Sequence, residues 1–142
     1  MFDFFSMPSL LSAETYQTLL WIGFAYVVLV IIGGFFAPSP YGRFSSASMG
    51  FNFSPRFGWF LMELPATISF VFFYFQGKNS LEAVPLLFLG IWCMHYANRG
   101  FIFPFLIRAA KGARGSFSVM VVVAGWSVTA LHGYLNAVFI SH

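Results

Sequence analysis

Charge is what this sequence has least of. Asp, Glu, Lys and Arg together make up 8% of its 142 residues, against about 25% in an ordinary soluble domain. With 59% hydrophobic and 22% aromatic residues, the chain cannot cover a water-facing surface. It is expected to be an all-α, multi-pass integral membrane protein. A formal charge of +3, scattered along the chain, excludes the dense basic stripe of a nucleic-acid binder. Cysteine is nearly absent. The single Cys93 permits no intrachain disulfide and reads as a small buried apolar residue. The first residues hold Asp3 and Glu14 but no Lys or Arg, so the positive region of a secretory signal is missing. Gly-rich phosphate-binding motifs are absent, as is any HExxH-like spacing for zinc.

What the chain does have is apolar runs. After an amphipathic lead, spans are expected at residues 19–36, 57–75, 83–107 and 116–140, four helices in one membrane domain covering residues 1–142. Residues 37–55 are rich in Pro, Ser and Gly and read as a loop. The polar QGKNS at 76–80 is a tight turn, and RAAKGARG at 108–115 is a basic loop. Bases concentrate in the first and third loops (Arg43 and Arg56; Arg108, Lys111 and Arg114), while Lys78 and Glu82 cancel in the second. That alternation predicts cytoplasmic 37–56 and 108–115 loops and a non-cytoplasmic N-terminus. The membrane would be the endoplasmic reticulum in a eukaryote and the inner membrane in a bacterium. The 21 phenylalanines are packing and lipid-facing material.

Within the second run, FGWFLMELPATISFVFFYF, stands one acid, Glu63. A carboxylate in mid-membrane costs roughly 2.5–3.5 kcal/mol on insertion-based scales, so it calls for a partner or a task. Two residues later, Pro65 deprives the Leu61 carbonyl of its helical donor. The third run is interrupted by HYANR at 95–99, with more apolar residues after it, which places these polar groups inside the span. Spans two and three share a short turn and should pack antiparallel. Counted from that turn at about 1.5 Å per residue, Glu63 and Tyr96 both lie roughly 20–24 Å deep. A Glu–Tyr or Glu–Arg contact would then offset burial of the acid. Such a group is either a polar network that fixes helix packing or a donor pair for a ketone oxygen. Tyrosine is a credible general acid, and burial keeps a carboxyl protonated. His95 and His132 allow a different reading, a haem held between two helices of an electron-transfer anchor. Zinc on His95, His132 and Glu63 lacks the usual spacing, and no metal is expected.

The segments RFGWFLMELP at 56–65 and FLGIWCMHYANRGFIFPFLIR at 88–108 resemble the N-terminal half of the steroid 5α-reductase family. YGR at 41–43 and LHGYLNA at 131–137 fit the same pattern. The resemblance spans about residues 40–137. It implies an NADPH-dependent reductase of seven transmembrane helices acting on the C4–C5 double bond of a 3-oxo-Δ4 steroid, or a similar enone lipid. Glu63 matches the family's ELP glutamate and Tyr96 its HY tyrosine, the pair that polarises the C3 ketone. Trp59 matches the tryptophan beside the steroid. The family's main NADPH contacts lie in a C-terminal half, so a four-span chain ending at His142 is expected to lack most of the cofactor site and to need that half as its partner.

Overall fold

The computed structural model describes residues 10–37, 51–108 and 117–142. Three of its helices are long and apolar enough to cross a membrane, α1 (Ala13–Phe36), α2 (Pro55–Tyr74) and α5 (Val119–Ser141). The third apolar run is composite. α3 (Ala83–Tyr96) passes into a π-helical segment, Ala97–Ile102, and then into the short α4 (Phe103–Leu106). α1 begins several residues before the expected start of its span, at a capped serine. The loop residues 38–50 and 109–116, with YGR and Lys111 and Arg114, lie outside the described residues, as does the lead up to residue 9.

Local chemistry sets the helix starts. The side-chain oxygens of Ser12, Ser54 and Ser118 accept from the backbone N–H groups of Thr15, Phe57 and Val121. Each cap satisfies one of the donors that a helix N-terminus leaves free. Pro55 occupies the first turn of α2, where its missing N–H is harmless.

α2 is the central helix, and α5 is its main neighbour. A Cβ added at Gly133 would stand 2.7 Å from the Ala66 carbonyl oxygen and 2.9 Å from the Phe70 nitrogen. The backbones therefore meet only because position 133 carries no side chain, the small-residue logic of membrane helix pairs. Gly58 faces Phe117, Gly125 faces Met62, and Gly77 faces Ser141, so the two helices advance together and run parallel. Three polar bonds cross the seam. Ser69 Oγ donates to the Ala130 carbonyl at 2.7 Å and Thr129 Oγ1 to the Met62 carbonyl at 3.1 Å. Trp126 Nε1 donates to the Leu61 carbonyl at 2.5 Å. That last bond fills the vacancy left by Pro65.

The α3–α4 rod lies along another side of α2 in antiparallel register. Ring centroids of Phe70 and Trp92 are 4.1 Å apart, those of Phe60 and Phe101 5.6 Å, and those of Trp59 and Phe103 5.5 Å. Phe70, Tyr74 and Ala137 form the fully buried centre. Both ends of the bundle are tied. A two-residue antiparallel ladder, β1 (Asn52–Phe53) against β2 (Phe117–Ser118), joins the starts of α2 and α5. At the other end Asn79 N–H donates to the Ser141 carbonyl at 2.9 Å, and Tyr74 Oη donates to the Ser80 carbonyl at 2.7 Å. α1 buries no residue and touches the rest through α5. Cys93, expected to be buried, is exposed on α3, because the apolar surface of a membrane helix faces lipid as readily as protein.

Candidate functional site

Glu63 projects from α2 toward the α3–α4 rod and is 2% exposed. Its Oε1 lies 2.7 Å from Nη2 of Arg99, an ion pair between α2 and the π segment. The arginine side chain is 46% exposed, so the pair opens on the cation's side. The Arg99 guanidinium also lies over the Trp59 ring, 5.3 Å from its centroid, within the range of a cation–π contact. Trp59, one turn before Glu63 on α2, is thus part of the same group. Its Nε1 is buried without a hydrogen-bond partner.

Why Arg99 stands opposite Glu63 follows from proline chemistry. Pro104 has no N–H, so the Gly100 carbonyl loses its normal helical donor. Upstream, the Phe103 N–H reaches back five residues to the Asn98 carbonyl, and the turn widens into a π-helix. Gly100 is buried at that bulge, where an added Cβ would sit 3.5 Å from the Glu63 Cβ. The wide turn and α2 approach closely at the acid, and Arg99 is carried to its level. Of the Glu–Tyr and Glu–Arg contacts that depth counting allows, the ion pair realises the second.

Tyr96 lies one turn earlier on α3 and is 5% exposed. Its ring packs against Trp92 at 4.9 Å and His95 at 5.0 Å. Among the described residues its hydroxyl makes no hydrogen bond to Glu63 or Arg99, and it stands one helical turn before Arg99 on the rod. Glu63, Tyr96 and Trp59 therefore belong to one neighbourhood in the seam between α2 and the rod. The member that depth counting left in second place is Arg99. Its signal was present in the sequence, as the one cation of the third run.

The His132 ring lies 5.0 Å from that of Trp92, and His95 packs on Tyr96. The Asn136 amide holds His132 through both its carbonyl oxygen at 2.9 Å and its Nδ1 at 3.2 Å. Among the described residues, no three His, Cys, Asp or Glu side chains are grouped as metal ligands. A cavity of about 340 Å³ lies between α1 and α5, lined by apolar side chains with Ser127 and His132. It includes neither Glu63 nor Tyr96.

Comparison with known proteins places this arrangement among relatives. The chain is 34% identical over 110 residues to steroid 5-alpha-reductase DET2 of Gossypium hirsutum, a match covering 76% of the chain and 42% of that protein. It is 29% identical over 121 residues to 3-oxo-5-alpha-steroid 4-dehydrogenase 1 of Bos taurus, covering 82% of the chain and 43% of the relative. The protein of the same name from Homo sapiens is 27% identical over 106 residues, with 73% and 39% covered. The chain thus spans about two fifths of the length of the curated relatives it matches. No family model matches it.

Proposed function

The chain belongs to the steroid 5-alpha-reductase family, and we propose that the complete protein reduces the C4–C5 double bond of a 3-oxo-Δ4 steroid, or of a similar enone lipid, with NADPH as reductant. The observation that carries this reading is the buried Glu63 paired across two helices with Arg99, beside Tyr96 and on Trp59. Those are the positions at which the family resemblance puts its glutamate, tyrosine and tryptophan.

The chemistry suits the place. Reduction of an enone pushes negative charge onto its carbonyl oxygen. Donors held there, out of water, stabilise the charge more in the transition state than in the ground state. In this reading the hydroxyl of Tyr96 donates to that oxygen, Glu63 completes the polarising pair, and the indole of Trp59 forms a wall of the substrate site. NADPH would supply the hydride. We assign the nucleotide to further parts of the family's fold, which would be the chain's partner.

The same reading counts the α3–α4 rod as a fourth span. The parallel run of α2 and α5, with the rod lying antiparallel on α2, supports this reading. Four spans of a seven-helix reductase would then lie here, in the endoplasmic reticulum or a bacterial inner membrane.

The test is direct. The complete protein, purified in detergent, is given NADPH and a 3-oxo-Δ4 steroid, and the product is identified. A 5α-reduced ketone supports the proposal. An inert protein with a Soret band in its visible spectrum would replace it with the haem reading on His95 and His132.

A further inference from the structure

A donor is useful to the proposed reaction only if it is aimed. The Tyr96 hydroxyl stands at the far end of its ring, so a small turn about the side-chain torsions carries the oxygen out of line. What holds the ring is aromatic. Trp92, one turn earlier on α3, packs against it with centroids 4.9 Å apart and planes inclined by 34°. The indole is itself stacked on Phe70 of α2, at 4.1 Å and 13°. Phe70 stacks in turn on Tyr74, at 5.6 Å and 19°. Phe70 and Tyr74 are fully buried. The column Tyr74–Phe70–Trp92–Tyr96 thus runs from the packed centre of the bundle to the site. From α5 the His132 ring reaches the same indole, 5.0 Å away and tilted by 32°. The Asn136 amide fixes that imidazole through its Nδ1 at 3.2 Å. His132 and Asn136 both belong to LHGYLNA at 131–137, a segment that the reductase chemistry leaves without a task. All of these contacts are made inside the chain, by α2, α3 and α5.

The choice of tryptophan is itself informative. Trp92 Nε1 is buried without a hydrogen-bond partner. A phenyl ring at position 92 would stack without burying an unpaired N–H, which is costly. The indole offers a wider face, and here that face meets Phe70, Tyr96 and His132 together.

We infer that Trp92 is a positioning residue for the reaction: held by Phe70 and His132, its indole fixes the Tyr96 ring so that the hydroxyl lies in line with the enone oxygen. This rests on the reductase reading and adds to it the device that aims its donor. Trp92 acts through Tyr96 alone. An oxyanion donor works only at hydrogen-bond distance from the place where charge develops, and a displacement of about 1 Å costs on the order of 10²-fold in rate. A ring stacked on a close-packed core keeps within that tolerance.

The experiment compares wild-type complete protein with Trp92→Leu and Trp92→Phe, each alone and combined with Tyr96→Phe. It measures single-turnover reduction of a 3-oxo-Δ4 steroid at saturating NADPH, with steroid affinity taken from the concentration dependence. Trp92→Leu should slow the step by roughly 10- to 10²-fold and leave affinity within about threefold of wild type. Trp92→Phe should fall between in rate. Its thermal midpoint in detergent should equal or exceed that of the wild type, since it removes an unpaired N–H. Slower chemistry without lost stability is not what a structural role produces. In the Tyr96→Phe background neither change at position 92 should add a loss, because residues working as a unit are non-additive. An active wild type with Trp92→Leu within about threefold of it overturns the inference and leaves the reductase reading standing. If Trp92→Leu does not fold, Trp92→Phe at the wild-type rate overturns it. Losses that multiply with Tyr96→Phe overturn it too, as does lost steroid affinity with an unchanged rate, which would make Trp92 a wall of the substrate site. A wild-type protein inert to the enone removes the reductase reading and the inference with it.

Discussion

At the scale of single residues, a membrane interior leaves few polar groups without an assignment, and most are paired across helices. Pro65 exposes the Leu61 carbonyl, and Trp126 on α5 satisfies it. Trp126→Phe should lower stability by about 1 kcal/mol, near the upper part of the range for polar bonds between membrane helices. In a Pro65→Ala background residue 65 supplies its own N–H to Leu61, and the same Trp126→Phe change should have little effect. Equilibrium unfolding of the four proteins in mixed micelles checks this; equal losses in both backgrounds would mean that the indole contributes by packing alone. The need for a donor at Leu61 was readable from Pro65, but its source was not, because no local pattern says which distant helix will answer. Glu63 and HYANR were likewise readable as partners, since acid and cation are so rare in this chain. Which of the Glu–Tyr and Glu–Arg contacts forms was not, because two residues less than one turn apart lie at nearly the same depth. At the site, Tyr96→Phe should slow enone reduction by about 10²–10³ and leave NADPH affinity nearly unchanged. Single-turnover rates beside a cofactor titration check it, and a large loss of affinity with normal chemistry would move Tyr96 to the nucleotide.

Between elements, close approach decides the architecture. The short QGKNS turn made α2 and α3 look like the principal pair, whereas α2 packs most extensively on α5. The cause is glycine placement: Gly133 and Gly125 let α5 descend onto α2, while at Gly90 on α3 an added Cβ would meet nothing within 4 Å. Gly133→Ala should therefore cost about 1–3 kcal/mol, because the Ala66 and Phe70 backbone atoms cannot yield. Gly90→Ala should be neutral or gain up to about 1 kcal/mol from helix propensity. Thermal unfolding in detergent separates the two, and similar midpoints for both variants would show that the α2–α5 seam is looser than described. Helix existence was legible in the apolar runs. Helix partnership was not, since lipid-facing and protein-facing apolar surfaces carry the same composition.

At the scale of the whole molecule, three helices suited to spanning a membrane are present among the described residues, and the composite rod is the proposed fourth. With four crossings, Ser6 and Ser116 lie on opposite faces. Cysteines placed there one at a time in a Cys93→Ser background should label from opposite sides with an impermeant thiol reagent, Ser116 from the cytoplasm. Labelling of both from one side would leave the rod out of the span count. The membrane character was legible from composition alone, and the family from two short segments. The activity of the complete protein is the claim on which the rest depends, and it meets its most direct test in one comparison. Complete wild-type protein and Tyr96→Phe are each mixed with NADPH and a 3-oxo-Δ4 steroid, and the 5α-reduced product of a single turnover is quantified. The account predicts product from the wild type and a rate lower by about 10²–10³ in the variant. Absence of the reduced product from the wild type would contradict it.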